Sequence, residues 1–215
     1  MISLMLPKGG KEGLKVLCLG AHCDDIEIGC GGAILRLAQE HVIAEIKWIV
    51  FTSNPVRADE AKKSAEAFLG NVKRKAIEIM SFKDGFLFNS AAEVKMAFED
   101  IKKGFEPDVI FTHHDRDLHQ DHSLLSRLTW NTFRSHFILE YEIPKYDGDL
   151  GAPNFFVKLE REHIDRKTAN LLEHFKSQAG KHWFDRELFS GLARVRGMEC
   201  AHPYAEAFYV KKITI

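Results

Sequence analysis

Ala21-His22-Cys23-Asp24-Asp25-Ile26-Glu27-Ile28-Gly29-Cys30-Gly31-Gly32 is the stretch from which the fold can be read. Before it, Leu14 to Leu19 (LKVLCL) is an apolar, β-prone run that Gly20 closes. After it, Ala33 to Ala38 (AILRLA) has helical spacing. The polar cluster therefore falls on the turn from a first strand to a first helix, the edge where open α/β sheets collect ligands. His22 and Asp25 are three residues apart, so a tight turn can aim imidazole and carboxylate at one metal ion. Asp24 lies between them and can face a water on that ion. Glycines at 29, 31 and 32 let the backbone come close, and a helix start favours a developing anion. Each residue also has a plainer use. A His-Asp pair at a helix start can cap the helix, and two adjacent aspartates can solvate a turn. Gly29-Cys30-Gly31-Gly32 lacks the G-x-G-x-x-G spacing of a dinucleotide loop. The choice needs a partner elsewhere in the chain.

The chain as a whole sets bounds. Its 215 residues suit one domain spanning 1–215, without repeats or a linker. A net charge of -1, with lysines spread along the chain, gives no electrostatic footprint for nucleic acid. No apolar run approaches the ~20 residues of a membrane span. The opening MISLMLPKGGKEG lacks the basic leader and small-residue cleavage site of a signal peptide. Cys18, Cys23, Cys30 and Cys200 form no CxxC pair, and a disulfide framework is unusual at this size, which points to a reducing cytoplasmic setting.

Further along, Ala44 to Phe51 reads as a buried strand and Val56 to Leu69 as a helix with Ala61, Ala65 and Phe68 on one face, stopped by Gly70-Asn71. Lys75 to Ser81 predicts a third strand, Phe82 to Asn89 a loop, Ala92 to Phe105 a helix and Val109 to Thr112 a fourth strand. This alternation is the signature of βαβ units. Right-handed crossovers then put the strand ends on one edge. The expected fold is α/β, a Rossmann-like three-layer sandwich with a mostly parallel central sheet. The fourth strand runs into His113-His114-Asp115-Arg116-Asp117-Leu118-His119-Gln120-Asp121-His122, four histidines and three aspartates in ten residues. That loop lands on the same edge as His22, ahead of a helix expected from Ser123 to Phe133. Beyond it come strands at Phe137 to Ile143 and Asn154 to Leu159, helices at Glu162 to Phe175 and Arg186 to Arg196, and a last strand or helix-strand boundary at Ala205 to Val210. The aromatic, Gly/Pro-rich segment Tyr141 to Phe156 is the expected substrate-facing rim.

With both clusters in place, the chain resembles the LmbE-like (PIG-L) family of zinc-dependent N-deacetylases. The resemblance rests on AHCDDIEIGCGG at 21–32 and HHDRDLHQDH at 113–122. Weaker support comes from RADEAKKSAEAFLG at 57–70 and from Arg196-Gly197 followed by YAEAF at 204–208. It implies a Rossmann-like sheet, Zn2+ or another divalent transition metal held by His22, Asp25 and His122, and Asp24 as general base. It also implies that His119 stabilises the oxyanion and protonates the leaving amine, with Asp121 orienting His119. The implied substrate is a small-molecule N-acetylated sugar or glycoconjugate of N-acetylglucosaminyl type; a homo-oligomer is allowed. The family's usual proline between histidine and aspartates is here Cys23, whose side chain should point away from that of His22. Arg57 reads either as a clamp for substrate phosphate, carboxylate or hydroxyl or as a solvated first-turn residue. Glu27 reads as a brace for the helix start.

The chemistry is coherent. Two histidines and one carboxylate leave a tetrahedral zinc an open position for water, whose pKa falls to about 7. A base takes the water's proton, the tetrahedral oxyanion is held, and the amine leaves protonated. Two alternatives stand beside this: a related amidase acting on a larger acyl group or thiol conjugate, and a non-catalytic metal- or nucleotide-binding α/β module. A binding module has no need of an unligated base such as Asp24.

Overall fold

The structure, a computed structural model, describes residues 13–70 and 72–214. The expectations placed on the opening segment and on Asn71 fall largely outside the described residues. Strands β1 (Leu14–Gly20), β2 (Ile43–Thr52), β3 (Lys75–Phe82), β4 (Val109–His113), β5 (Phe137–Tyr141), β6 (Phe155–Leu159) and β7 (Tyr204–Tyr209) form one sheet in the order β3-β2-β1-β4-β5-β7-β6. The first five in that order pair in parallel, while β7 runs antiparallel to both β5 and β6. Between the strands lie helices α1 (Asp25–Glu40), α2 (Pro55–Phe68), α3 (Ala91–Gly104), α4 (Gln120–Thr132), α5 (Arg161–His174) and α6 (Arg186–Glu199).

The pleat divides the core into two layers. Val16 and Cys18 of β1 and Val109 and Phe111 of β4 pack with residues of α1, α2, α5 and α6. Leu17, Leu19 and Ile110, one step along the same strands, pack with Val94 and Phe98 of α3 and Leu125 of α4. Both faces of β1 and β4 are covered, which is why these strands read as continuous apolar runs. The mostly parallel three-layer sandwich expected from the sequence is the architecture observed.

Two helices start earlier than expected, and the reason lies in their packing. The sequence predicts α1 from Ala33, but it starts at Asp25. Its glycines are contact points rather than a loop. A Cβ at Gly29 would lie 2.2 Å from the Tyr141 ring, at Gly31 2.8 Å from Phe68, and at Gly32 2.6 Å from Leu159. The helix also receives a buried ion pair. Lys167 of α5 donates to the Ile28 carbonyl at 2.5 Å and to Glu206 of β7 at 2.7 Å. Glu206 accepts from the amides of Gly32 and Ala33 at 2.9 and 2.7 Å. This explains the glutamate within YAEAF, which binds the backbone of the glycine-rich helix. Helix α4 begins at Gln120 rather than Ser123, which puts Asp121 and His122 on its first turn. The last element is a strand, and β5 ends at Tyr141 rather than Ile143.

Glycine positions give a paired test. At Gly29 the Tyr141 ring is pinned, because its hydroxyl donates to the Leu19 carbonyl at 2.7 Å. Gly29→Ala should therefore destabilise by about 1–3 kcal/mol through overpacking, lowering Tm by roughly 2–4 °C per kcal/mol. Gly191 in α6 meets nothing within 4 Å, so Gly191→Ala should stabilise by about 0.5–1 kcal/mol. Thermal unfolding checks both; equal effects at the two positions would contradict the packing account.

Candidate metal centre at the carboxyl edge of the sheet

From β1 the chain turns to β2 on one side, and it later returns to β4 on the other, so the loops leaving β1 and β4 diverge and open a crevice. The turn after β1 is held from both sides. The Thr52 amide and hydroxyl donate to the Ala21 carbonyl at 2.9 and 2.7 Å, and the Ala21 amide donates to His113 Nε2 at 2.9 Å.

At this edge three donor atoms converge. His22 Nδ1 lies 3.1 Å from Asp25 Oδ2 and 3.0 Å from His122 Nε2, and His122 Nε2 lies 3.5 Å from Asp25 Oδ2. Ligands about 2.0–2.1 Å from a tetrahedral zinc stand about 3.3–3.4 Å apart, so this triangle fits such an ion. The hydrogen-bond partners fix where the lone pairs point. His122 Nδ1 is 2.9 Å from Asp117 Oδ2, so the proton sits there and Nε2 faces the triangle as a lone pair. His22 Nε2 makes no hydrogen bond but faces the carboxylates of Asp84 at 3.2 Å and Asp121 at 3.4 Å, while Nδ1 faces the triangle. Two imidazole nitrogens and a carboxylate oxygen thus share one buried point. The charge balance agrees. Burial works against a charged His22, yet Asp25, Asp121 and Asp84 hold its pKa well above the ordinary histidine value. Burial likewise works against ionised Asp25, yet His122, His22 and His113 hold its pKa well below the ordinary carboxylate value. The site calls for positive charge.

His113 is also within 3.2 Å of Asp25 Oδ2. Its Nε2 lone pair already accepts the Ala21 amide, and burial, then His122, push its pKa down to about 4. It is a neutral ring stacked on His122 at 3.9 Å and braces that side chain from behind.

Asp24 is the residue before α1, and its Oδ1 accepts from Arg57 Nη2 at 2.8 Å. Arg57 reaches it from the first turn of α2, which Asn54 caps by accepting from the amides of residues 56 and 57. Arg57 is therefore not a solvated residue, and its Nε is buried without a hydrogen-bond partner. His119 precedes α4. Its Nδ1 accepts the Asp121 amide at 3.2 Å, which places the proton on Nε2. Burial and the charges on His122 and His22 lower its pKa.

Asp121 departs from the sequence reading. Its carboxylate does not orient His119: it accepts the amides of Gly85 and Leu87 at 2.8 and 3.1 Å and approaches His22. The cause is the early start of α4, which turns the Asp121 side chain toward the loop after β3. Glu27 is fully buried, and burial holds its carboxyl well above the ordinary range. Cys23 turns away from the triangle and donates to the Thr52 carbonyl at 3.4 Å; burial pushes its thiol up to about 12. Asp84, His113 and Asp117 were not singled out by spacing. Asp117 does stand in the histidine-rich decade, whereas Asp84 arrives from a loop whose approach no local pattern reveals.

Residues 17–133 match the model of the PIG-L family, described as GlcNAc-PI de-N-acetylase. The uncharacterized deacetylase YaiS of Escherichia coli K12 is 32% identical over 171 residues, covering 74% of this chain and 89% of that protein. N,N'-diacetylchitobiose deacetylase from Pyrococcus horikoshii superposes with a TM-score of 0.66 at 19% identity, over 96% of this chain and 87% of that one. GalB, the 4-carboxy-2-hydroxymuconate hydratase of Pseudomonas putida KT2440, reaches 0.75 at 16% identity, over 94% and 98%. At those identities the two structures speak for the fold alone, and the family follows from the sequence matches. Their extent, together with the placement of both motifs on one sheet edge, means that the chain belongs to the PIG-L (LmbE-like) family of de-N-acetylases.

Proposed function

We propose that the protein is a zinc-dependent hydrolase that removes the acetyl group from an N-acetylated sugar or glycoconjugate of N-acetylglucosaminyl type. The observation that carries this reading is the convergence of the His22, Asp25 and His122 donors on one point with tetrahedral spacing. When bound there, a divalent cation polarises the substrate carbonyl and acidifies a water. Asp24 accepts the proton of the attacking water, with Arg57 keeping its carboxylate aimed into the crevice. His119 presents Nε2–H to the developing oxyanion. The family resemblance gives His119 the further role of protonating the departing amine, with Asp24 as general base. Asp121 holds His22 and the loop after β3 in register. The rest of the Arg57 guanidinium is the candidate clamp for a substrate oxygen. The four cysteines are free and buried, which suits the cytoplasm.

Exposed apolar groups mark the same edge of the sheet. Val56, Phe86, Phe88, Leu118, Tyr146 and Leu150 are exposed, and each lies on a segment following the carboxyl end of a parallel strand. They offer a surface to the part of the substrate beyond the acetylated sugar. Asn154, in the same rim segment, has a different role. Its amide pairs with the Val210 backbone in both directions, at 3.1 and 2.9 Å, and ties down the end of β7.

Chelation should abolish acetate release from N-acetylglucosamine derivatives, and added zinc should restore it. Asp24→Asn should lower kcat by about 10²–10⁴-fold while retaining wild-type metal content. Zinc-loaded wild-type protein that is inactive on a broad panel of N-acyl compounds would overturn the reading, and a preference for larger acyl groups would favour the related amidase. At the rim, Tyr146→Ala and Phe88→Ala should raise KM for glycoconjugates severalfold with little change in kcat. Unchanged kinetics in both variants would remove the rim from substrate binding.

A further inference from the structure

The excursion between β5 and β6, residues 142–154, carries Tyr146 and Leu150 outward, yet the half-buried Lys145 turns its Nζ toward Asp117. Lys145 Nζ sits 3.0 Å from Asp117 Oδ2 and 2.5 Å from Asp149. Asp149 in turn accepts the Leu118 amide at 2.7 Å. Asp117 is itself a hub, since Oδ2 holds the His122 ring at 2.9 Å and Oδ1 accepts the His119 amide at 2.8 Å. A continuous chain of polar contacts therefore runs from the rim segment to one corner of the donor triangle. We propose that Lys145 and Asp117 form a strut through which the 142–154 excursion and the grip on the metal ion support each other, with Lys145 a positioning residue for His122.

The inference rests on the reading of His122 as a metal ligand and adds to it a link to the rim. Without Lys145, Asp117 is a buried carboxylate with one cation fewer, and the excursion loses its inward anchor. Carboxylates that hold a ligating histidine are typically worth 10–100-fold in metal affinity, and Lys145 acts through such a carboxylate. The coupling is reciprocal: an ion that fixes His122 also fixes Asp117 and, through Lys145, the excursion.

Two measurements test it. Zinc affinity is read by competition with a chromophoric chelator, and backbone amide exchange over 142–154 is read with and without zinc alone. Lys145→Met should bind zinc about 10-fold or more weakly, whereas Lys103→Met, at an exposed site, should bind as the wild type does. Zinc should slow exchange over 142–154 in the wild type and leave it unchanged in Lys145→Met. A folded Lys145→Met that holds zinc within about twofold of wild type overturns the strut. So does wild-type exchange over 142–154 that zinc leaves unaltered, which keeps the test decisive should the variant fail to fold. Wild-type protein that takes up no zinc overturns the metal reading itself and the strut with it.

Discussion

Two imidazoles and a carboxylate held within 3.5 Å of one another in a buried crevice are the constraint around which this molecule is built. Facing lone pairs repel, and water is not available at full strength to screen them. The arrangement is stable only with positive charge at its centre, either a proton or a metal ion. Asp117 keeps one ring proton of His122 on its outer nitrogen, and the carboxylates of Asp84 and Asp121 flank the outer nitrogen of His22.

Holding that geometry takes a long reach through the fold. His22 is fixed by a turn clamped between β2 and β4, and Asp25 by the first turn of α1. That helix can lie close to the sheet because glycines face Tyr141, Phe68 and Leu159. Lys167 and Glu206, which bind backbone groups inside α1, fasten it from α5 and β7. The pair is itself buried, and its charges are satisfied by each other and by the helix amides and carbonyl. The C-terminal part of the chain thus contributes to the site without entering it, which accounts for a motif so far from the ligands.

Much of this was legible in the sequence because it rests on local spacing. Apolar runs at regular intervals specify a parallel sheet, and both polar clusters follow strands that must end on one edge. What was not legible depends on tertiary contact. The glycines of α1 look like a loop until the Tyr141 ring that fills the space beside Gly29 is known. The family resemblance pairs Asp121 with His119, but the amides of Gly85 and Leu87 claim its carboxylate. Lys145 and Asp117 meet across a gap in sequence that no periodicity records.

The same architecture is shared with a hydratase, so the fold alone does not decide the chemistry. The donor set does. X-ray absorption at the zinc edge of the loaded protein tests it most directly. The account expects four-coordinate zinc with two imidazoles and light oxygen donors at about 2.0–2.1 Å. A shell of six oxygens without imidazole scattering, or a sulfur at about 2.3 Å from Cys23, would contradict it.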